Sequence, residues 1–174
     1  MSRMQIKPTG RESPFGEEEL IVSKTDLKGR ITYANDVFLR VAKYPLADVI
    51  GAPHSLIRHP EMPRCVFKLA WDTIQAKREI FAYVINMARG GDHYWVLAHM
   101  TPTLDAGGNL IGYHSNRRKP TAAQVAKIRP LYAELLAEEA RHDSRKDGML
   151  RGSEMLAKTL ADKGVDYDEF VFSV

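Results

Sequence analysis

The sequence predicts an α+β fold: a five-stranded antiparallel sheet with short helices on one face, followed by C-terminal helices. The main observation is the order of elements, in which two strand-like runs, four short helical segments and three further strand-like runs follow one another. The second is the turn chemistry at residues 26–29, 90–91 and 105–109, which joins neighbouring strands closely enough for antiparallel pairing.

The composition fits one globular domain with extensions. The 174 residues are 44% hydrophobic and 27% charged, so the chain can bury a core. The formal net charge is only +3 and the charges are interspersed, which argues against a nucleic-acid-binding face. The single cysteine, Cys65, excludes an internal disulfide framework, and no apolar run approaches the roughly 18 to 20 residues of a membrane span. We therefore expect no membrane insertion and a cytoplasmic location.

The N-terminal part of the chain is predicted to end in a hairpin. Residues 1–18 contain several prolines and glycines and are expected to form an irregular leader. Residues 19–24 and 30–34 are apolar strands joined by the Asp-Leu-Lys-Gly turn. Asn35 and Asp36 follow, and either side chain can cap the first helix.

Short helices occupy the middle of the chain. A helical turn is predicted at residues 44–51, and prolines interrupt residues 54–63. From residue 62 the apolar side chains recur at helical spacing, which predicts a longer helix that ends near residues 76–77. Three strands follow at 79–89, 92–102 and 110–118, which places the sheet domain at residues 19–119.

The C-terminal residues 120–174 are predicted to be helical. Thr121 is a plausible helix cap, Pro130 should kink that helix or start a second segment, and 142–148 is a polar break before a further helix and an apolar tail. One apolar stripe can either pack back on the exposed sheet face or pair with a second chain in a homodimer. Its residues are Val125, Ile128, Leu131, Tyr132 and Leu135.

Two longer motifs point to a known family. Residues 58–63 read Arg-His-Pro-Glu-Met-Pro, and residues 91–96 read Gly-Asp-His-Tyr-Trp-Val. With these motifs, the order of elements from about residue 20 to 118 resembles a PAS domain. More narrowly, it resembles the flavin-binding PAS domain of bacterial aerotaxis receptors, to which residues 25–27, 31–36 and 51–54 are also similar.

The resemblance implies a non-covalent FAD site and a set of residues for it. Carried over by position, these are Asn35, His54, Arg58, His59, Glu61, Trp71 and Asn86. Two positions depart from the family pattern: Glu61 stands where Asp is frequent, and Phe81 where Trp is frequent. Glu61 keeps the charge on a longer arm, whereas Phe81 lacks the indole N–H donor.

Several of these residues have a second interpretation. Arg58 can bind a flavin diphosphate or pair with Glu61, and Trp71 can flank the isoalloxazine or belong to the core. Asn35 can cap a helix instead of binding flavin. Asn86, in an apolar strand, needs a polar partner if it points inward.

Other candidate sites carry less weight. Haem needs one proximal histidine, for which His54 and His59 are the candidates, so haem is the alternative cofactor. Cys65 lies near the position of the reactive thiol in LOV photoreceptors, but its neighbours do not match, and a packed side chain is expected. Residues 117–119, Arg-Arg-Lys, are expected to form a solvated strand exit.

The function we expect is a sensory PAS domain that signals redox state or oxygen to a protein partner in trans. No catalytic triad, phosphate loop or acid–base pair is evident, so no enzyme is predicted. The alternatives are a haem-binding gas sensor on the same fold and a cofactor-free PAS module that dimerises through its helices and sheet.

Overall fold

The computed structural model describes residues 6–174 and contains the predicted elements in the predicted order. The strands and helices are β1 (Ile21–Thr25), β2 (Ile31–Ala34), α1 (Asp36–Ala42), α2 (Leu46–Val49), a 3₁₀ helix (His54–Ile57), α3 (Arg64–Gln75), β3 (Ile80–Met87), β4 (His93–Leu104), β5 (Leu110–Arg118), α4 (Ala122–Ala140), α5 (Arg145–Lys163) and α6 (Tyr167–Ser173).

The five strands form one antiparallel sheet in the order β2-β1-β5-β4-β3. Ser115 of β5 lies opposite Ser23 of β1 and Met100 of β4, and Ile80 of β3 lies opposite Met100. Because side chains alternate between faces, every second residue along these strands shares one face of the sheet. We call the face that carries Ser23, Ser115 and Met100 the inner face. The 3₁₀ helix and α3 lie over it.

The C-terminal helices pack back on the same chain. Tyr132, Leu135, Leu156 and Val171 are all buried in the main core. The Tyr132 hydroxyl donates a hydrogen bond to the Tyr83 carbonyl of the edge strand β3. The apolar stripe of α4 is therefore used inside the chain, which is the first of the two packings that the sequence allows.

The outer face of the sheet is partly covered by the end of the chain. The Phe172 ring of α6 meets the Phe81 ring of β3 edge to face, with 5.0 Å between centroids. The predicted apolar tail is thus a helix in contact with the sheet. A single helix α4 runs through Pro130, so this proline does not start a second segment.

The leader predicted for residues 1–18 is described from residue 6, and residues 1–5 lie outside the described residues. It contains no helix or strand, yet it packs on the domain: Phe15 is buried, and the Ser13 N–H donates to the His93 carbonyl at 2.7 Å. None of the helices within residues 6–174 combines the length and apolar character that crossing a bilayer requires.

Candidate functional site

A cavity of about 210 Å³ lies between the inner face of the sheet and α3. Helix α3 contributes mainly apolar side chains, whereas β1 and β5 contribute hydroxyl groups and a guanidinium. The lining residues that matter below are Thr25, Lys28, Gly29, His54, Arg58, Phe67, Trp71, Asn86, Tyr113, Ser115 and Arg117. An apolar wall facing a few convergent polar groups is the usual construction of a small-molecule site.

Four of the seven residues predicted from the sequence line this cavity: His54, Arg58, Trp71 and Asn86. Asn35 does not, because it caps α1. Its Oδ1 accepts hydrogen bonds from the Phe38 N–H and the Val22 N–H, both at 3.0 Å, and its Nδ2 donates to the Leu20 carbonyl at 2.8 Å. Every polar atom of this side chain therefore serves to join α1 to β1.

His59 and Glu61 also lie outside the cavity. His59 is buried, its Nδ1 accepts the Glu61 N–H at 3.1 Å, and its ring lies 6.4 Å from that of His93. Burial lowers the pKa of His59, which favours the neutral ring that this hydrogen bond requires. Glu61 is exposed and forms no ion pair with Arg58, so the structure does not contain the alternative pairing considered for that arginine.

Arg117 is the buried cation of the cavity, and the sequence interpretation missed it. It is 3% exposed, and its Nη2 donates to Ser23 Oγ at 2.6 Å and to His54 Nε2 at 2.7 Å. Among the described residues no carboxylate pairs with it. Burial lowers the pKa of Arg117 to about 10, so the side chain stays charged at neutral pH.

The expected solvated strand exit is therefore wrong for Arg117, although Arg118 is exposed. The signal was present in the alternation of β5: Tyr113, Ser115 and Arg117 are spaced by two and share the inner face. Three consecutive basic residues suggest one solvated cluster, whereas the alternation separates the buried Arg117 from the exposed Arg118.

His54 is held as a neutral ring beside Arg117. Burial, followed by the charge of Arg117, lowers the pKa of His54 from its ordinary 6.5 to about 3. Since Nε2 accepts the Arg117 hydrogen bond, the remaining proton of the neutral ring is on Nδ1. His54 therefore orients the guanidinium without adding a second positive charge.

Four buried polar atoms at the cavity wall have no hydrogen-bond partner within residues 6–174: Thr25 Oγ1, Asn86 Nδ2, Ser115 Oγ and Arg117 Nη1. An unpaired buried donor costs about 1–3 kcal/mol, so four of them on one cavity are unusual unless a ligand satisfies them. The amide nitrogen and the guanidinium can only donate, which means that the complementary ligand must present acceptor atoms.

Two aromatic rings also line the cavity. Trp71 of α3 and Tyr113 of β5 meet edge to face with 5.2 Å between centroids. Gly29, at φ +75°, allows the backbone of the turn between β1 and β2 to approach the Trp71 indole. A Cβ at this position would lie 3.0 Å from the ring. At the cavity mouth the Arg58 guanidinium lies over the Phe67 ring, 4.7 Å from its centroid.

Cys65 is buried, as expected, and does not line the cavity. Burial and the neighbouring Glu139 raise its pKa to about 12, so the thiol is unreactive in the folded protein. Within the part of the chain that the structure describes, no cluster of three His, Cys, Asp or Glu side chains could hold a metal ion.

The chain belongs to the PAS family. The family's PAS-fold profile matches residues 21–115, which include the short helices and all of the sheet except the last three residues of β5.

Known proteins similar to this chain are sensory and regulatory. The chain is 37% identical over 129 residues to the aerotaxis receptor of Escherichia coli K12, which covers 74% of this chain and 25% of the receptor. It is 31% identical over 102 residues to a nitrogen fixation regulatory protein of Klebsiella pneumoniae, covering 59% and 21%. The chain thus spans a quarter or less of these relatives.

A solved structure with the same fold is a photoreceptor domain. The light-state LOV domain of the blue-light photoreceptor Aureochrome1 matches with a TM-score of 0.54 and 25% identity. The match covers 70% of this chain and 91% of that domain. The comparison confirms the predicted PAS architecture.

Proposed function

We propose that this chain is a sensory PAS domain that binds FAD non-covalently in the cavity and signals redox state or oxygen to a protein partner. The observation that carries the proposal is the set of four unpaired polar atoms, Arg117 Nη1 among them, in a cavity that is also lined by the rings of Trp71 and Tyr113. A flat aromatic ligand whose polar edge is rich in acceptors matches both halves of this cavity.

The isoalloxazine ring of a flavin has this chemistry. Its pyrimidine edge carries two carbonyl oxygens and ring nitrogens that accept hydrogen bonds, together with one N–H that donates. Asn86 Nδ2 and Arg117 Nη1 would donate to the acceptors, and the hydroxyls of Thr25 and Ser115 can serve either kind of atom. Trp71 would contact the ring system from the α3 side.

The diphosphate of FAD would bind at the cavity mouth. Arg58 and Lys28 line the mouth, and neither forms an ion pair with a carboxylate of the described residues. A guanidinium binds phosphate oxygens in a bidentate manner, and Arg58 is held in place by its contact with Phe67. These two cations support FAD over riboflavin, which lacks phosphate.

When bound, the flavin supplies reversible electron transfer, which changes the charge and hydrogen bonding of its ring. The chain responds through residues already in place. Arg117 would attract added negative charge, and the neutral His54 keeps the guanidinium aimed at the cavity. A shift of Asn86 or Trp71 would pass to β3 or α3, and thus to the helices packed on them.

Haem is less well supported as the cofactor. A proximal histidine must offer a free ring nitrogen to iron. His54 Nε2 already accepts a hydrogen bond from Arg117, and His59 lies outside the cavity. Signalling rather than catalysis is supported by the similarity to a receptor and a regulatory protein. A cytoplasmic location and a protein partner in trans are part of the same proposal.

The decisive experiment is the absorbance spectrum of the freshly purified protein, followed by identification of the compound that heat releases. We expect flavin bands in the blue and near-ultraviolet and released FAD. The variant Arg117→Met should lose at least about tenfold in FAD affinity, because a charged hydrogen bond contributes about 1.5–3 kcal/mol. The matched control is Arg118→Met, its exposed neighbour on the opposite face.

Two outcomes would contradict the proposal. A Soret band would assign the cavity to haem. A protein that stays colourless after incubation with FAD would leave the fold without this ligand.

A further inference from the structure

Three helices meet at the carboxylate of Glu139, which does not line the cavity. Glu139 lies in the last turn of α4 and is only 7% exposed. Its Oε1 accepts the Cys65 N–H at 2.8 Å, and its Oε2 accepts the Arg64 N–H at 3.1 Å. These are the first two residues of α3, which follows Pro63 and has no cap from its own sequence. Helix α4 thus caps α3.

Helix α5 closes around this contact through two glycines one turn apart. A Cβ at Gly148 would lie 2.3 Å from the Glu139 carbonyl oxygen. A Cβ at Gly152 would lie 3.0 Å from Glu139 Cγ and 3.2 Å from Cys65 Sγ. The three helices therefore pack backbone against side chain with no space between them. Because a small displacement of α5 would lose these contacts, we expect two positions of α5, docked on Glu139 or separated from it.

The charge of Glu139 is held by the α3 N–H groups rather than by a cation. Within residues 6–174, no Lys, Arg or His side chain forms an ion pair with it. The positive end of the helix dipole favours the carboxylate at this position. If the helices undock, water can hydrate both the carboxylate and the N–H groups. Hydrogen bonds to water then replace the two hydrogen bonds of Glu139, so their loss costs little net free energy.

The same helix α3 lines the ligand cavity. Phe67 and Trp71 project into it from positions one and two turns beyond the capped end. On the other side, Phe172 of α6 contacts β3, which lines the cavity with Asn86. The C-terminal helices therefore touch both secondary-structure elements that would respond to the ligand.

We infer that Glu139 is a latch: it couples the docking of α5 and α6, through α3, to the state of the ligand in the cavity. The inference rests on the proposed function for the identity of the ligand. By linkage, a ligand state that favours a displaced α3 weakens the latch, and loss of the latch changes the affinity for that state.

Hydrogen–deuterium exchange on the full chain tests the latch itself. In the ligand-free protein, Glu139→Gln should speed amide exchange in α5 and α6 by about 5- to 150-fold. This is the fold-change that corresponds to typical coupling free energies. The matched control is Glu138→Gln, because Glu138 loses the same charge but pairs on the surface with Arg141 and His142. Exchange equal to that of the wild type in Glu139→Gln would reject the latch.

A second measurement tests the coupling. In the wild type with bound FAD, reduction by dithionite without oxygen should change α5 and α6 exchange at least about fivefold. In Glu139→Gln that dependence on redox state should disappear. If exchange is faster in the variant but keeps the redox ratio of the wild type, Glu139 is only structural and the inference is wrong.

Two arms keep the test decisive. If Glu139→Gln does not fold, Gly152→Ala replaces it, since the added methyl presses on Glu139 Cγ without a change of charge. It should also speed α5 exchange, and unchanged exchange would overturn the latch. If the wild type binds no flavin, the proposed function fails, whereas the ligand-free comparison still decides whether the latch exists.

Discussion

Arg117 shows how a single residue can reveal the purpose of a cavity. A buried guanidinium without a carboxylate partner is costly for the folded state, because its desolvation is not offset by an opposite charge. Ser23 and His54 satisfy one of its nitrogens and leave Nη1 unpaired. In the proposed function, a ligand offsets this cost by accepting a hydrogen bond from Nη1 and by meeting the positive charge.

Arg58 gives a prediction about the phosphate end of the ligand. Arg58→Ala should weaken FAD binding by about 10- to 100-fold, because charge-assisted hydrogen bonds contribute about 1.5–3 kcal/mol. Riboflavin binding should change little, since riboflavin has no phosphate. Isothermal titration with both flavins measures the difference. Equal losses for FAD and riboflavin would place Arg58 at the ring instead of the diphosphate.

His54 gives a prediction about pH. Its pKa is lowered from 6.5 to about 3 in the folded protein, so between these values the unfolded chain binds more protons. The stabilisation from the neutral ring is complete above pH 6.5 and is lost as the pH falls toward 3. The free energy of unfolding should drop by up to about 1.4 kcal/mol per pH unit in this window.

The variant His54→Gln keeps an acceptor for Arg117 but does not titrate. Urea unfolding of wild type and variant between pH 7 and 4 should show a flatter dependence for the variant. Parallel curves would mean that folding does not lower the pKa of His54, contrary to its contact with Arg117.

Among the secondary-structure elements, α1 depends on Asn35. Asn35→Ala should lower the free energy of unfolding by about 1–2 kcal/mol, because a helix cap and the link to β1 are both lost. FAD affinity of the folded variant should stay within about twofold of the wild type, because Asn35 does not line the cavity. Loss of a ligand contact worth about 1.4 kcal/mol would instead lower the affinity tenfold. Chemical unfolding and flavin titration separate the two effects.

Asn35→Asp is the matched control for this cap. It keeps the accepting oxygen at Phe38 and Val22, so the cap part of the stability should return, whereas a carboxylate oxygen in place of the Leu20 donor should keep the recovery partial. If Asn35→Ala loses flavin while its stability is unchanged, Asn35 contacts the ligand after all.

The elements themselves were largely predictable from the sequence. The β5 prediction of 110–118 coincides with the observed strand, and Thr121 caps α4 with a capping box. Local signals carry these features: turn residues, alternation and cap chemistry. The site was predictable only in part, because four of its proposed residues line the cavity while Asn35, His59 and Glu61 do not.

The alternation of β5 places Arg117 on the inner face, but the partners of Arg117 and Glu139 are long-range contacts that no local pattern encodes. Arg117 meets Ser23 across two paired strands and 94 positions of sequence. Glu139 reaches Cys65 from 74 positions away. A polar residue in a helical pattern ordinarily indicates a solvated face, so the cap that Glu139 supplies could not be inferred before the helices were placed in space.

For the whole molecule, the C-terminal helices belong to the fold. Leu156 and Val171 are buried in the main core, and each such side chain contributes about 1.5–3 kcal/mol. Removal of residues 149–174 should therefore lower the free energy of unfolding by at least about 3 kcal/mol. Thermal and urea unfolding followed by circular dichroism measure the change. An unchanged midpoint would show that α5 and α6 add nothing to the stability of the sheet domain.

The single thiol of the chain lies at the junction of α3, α4 and α5, which makes it a built-in reporter. Cys65 is 1% exposed and its pKa is about 12, so a thiol-specific dye should not label the native protein. It becomes accessible when α5, which carries Gly152, moves away from Cys65 and Glu139. The labelling rate of Cys65 therefore measures the rate at which the helices open in the unmodified sequence. For the same reason, a cysteine introduced on the surface can be labelled without labelling of Cys65.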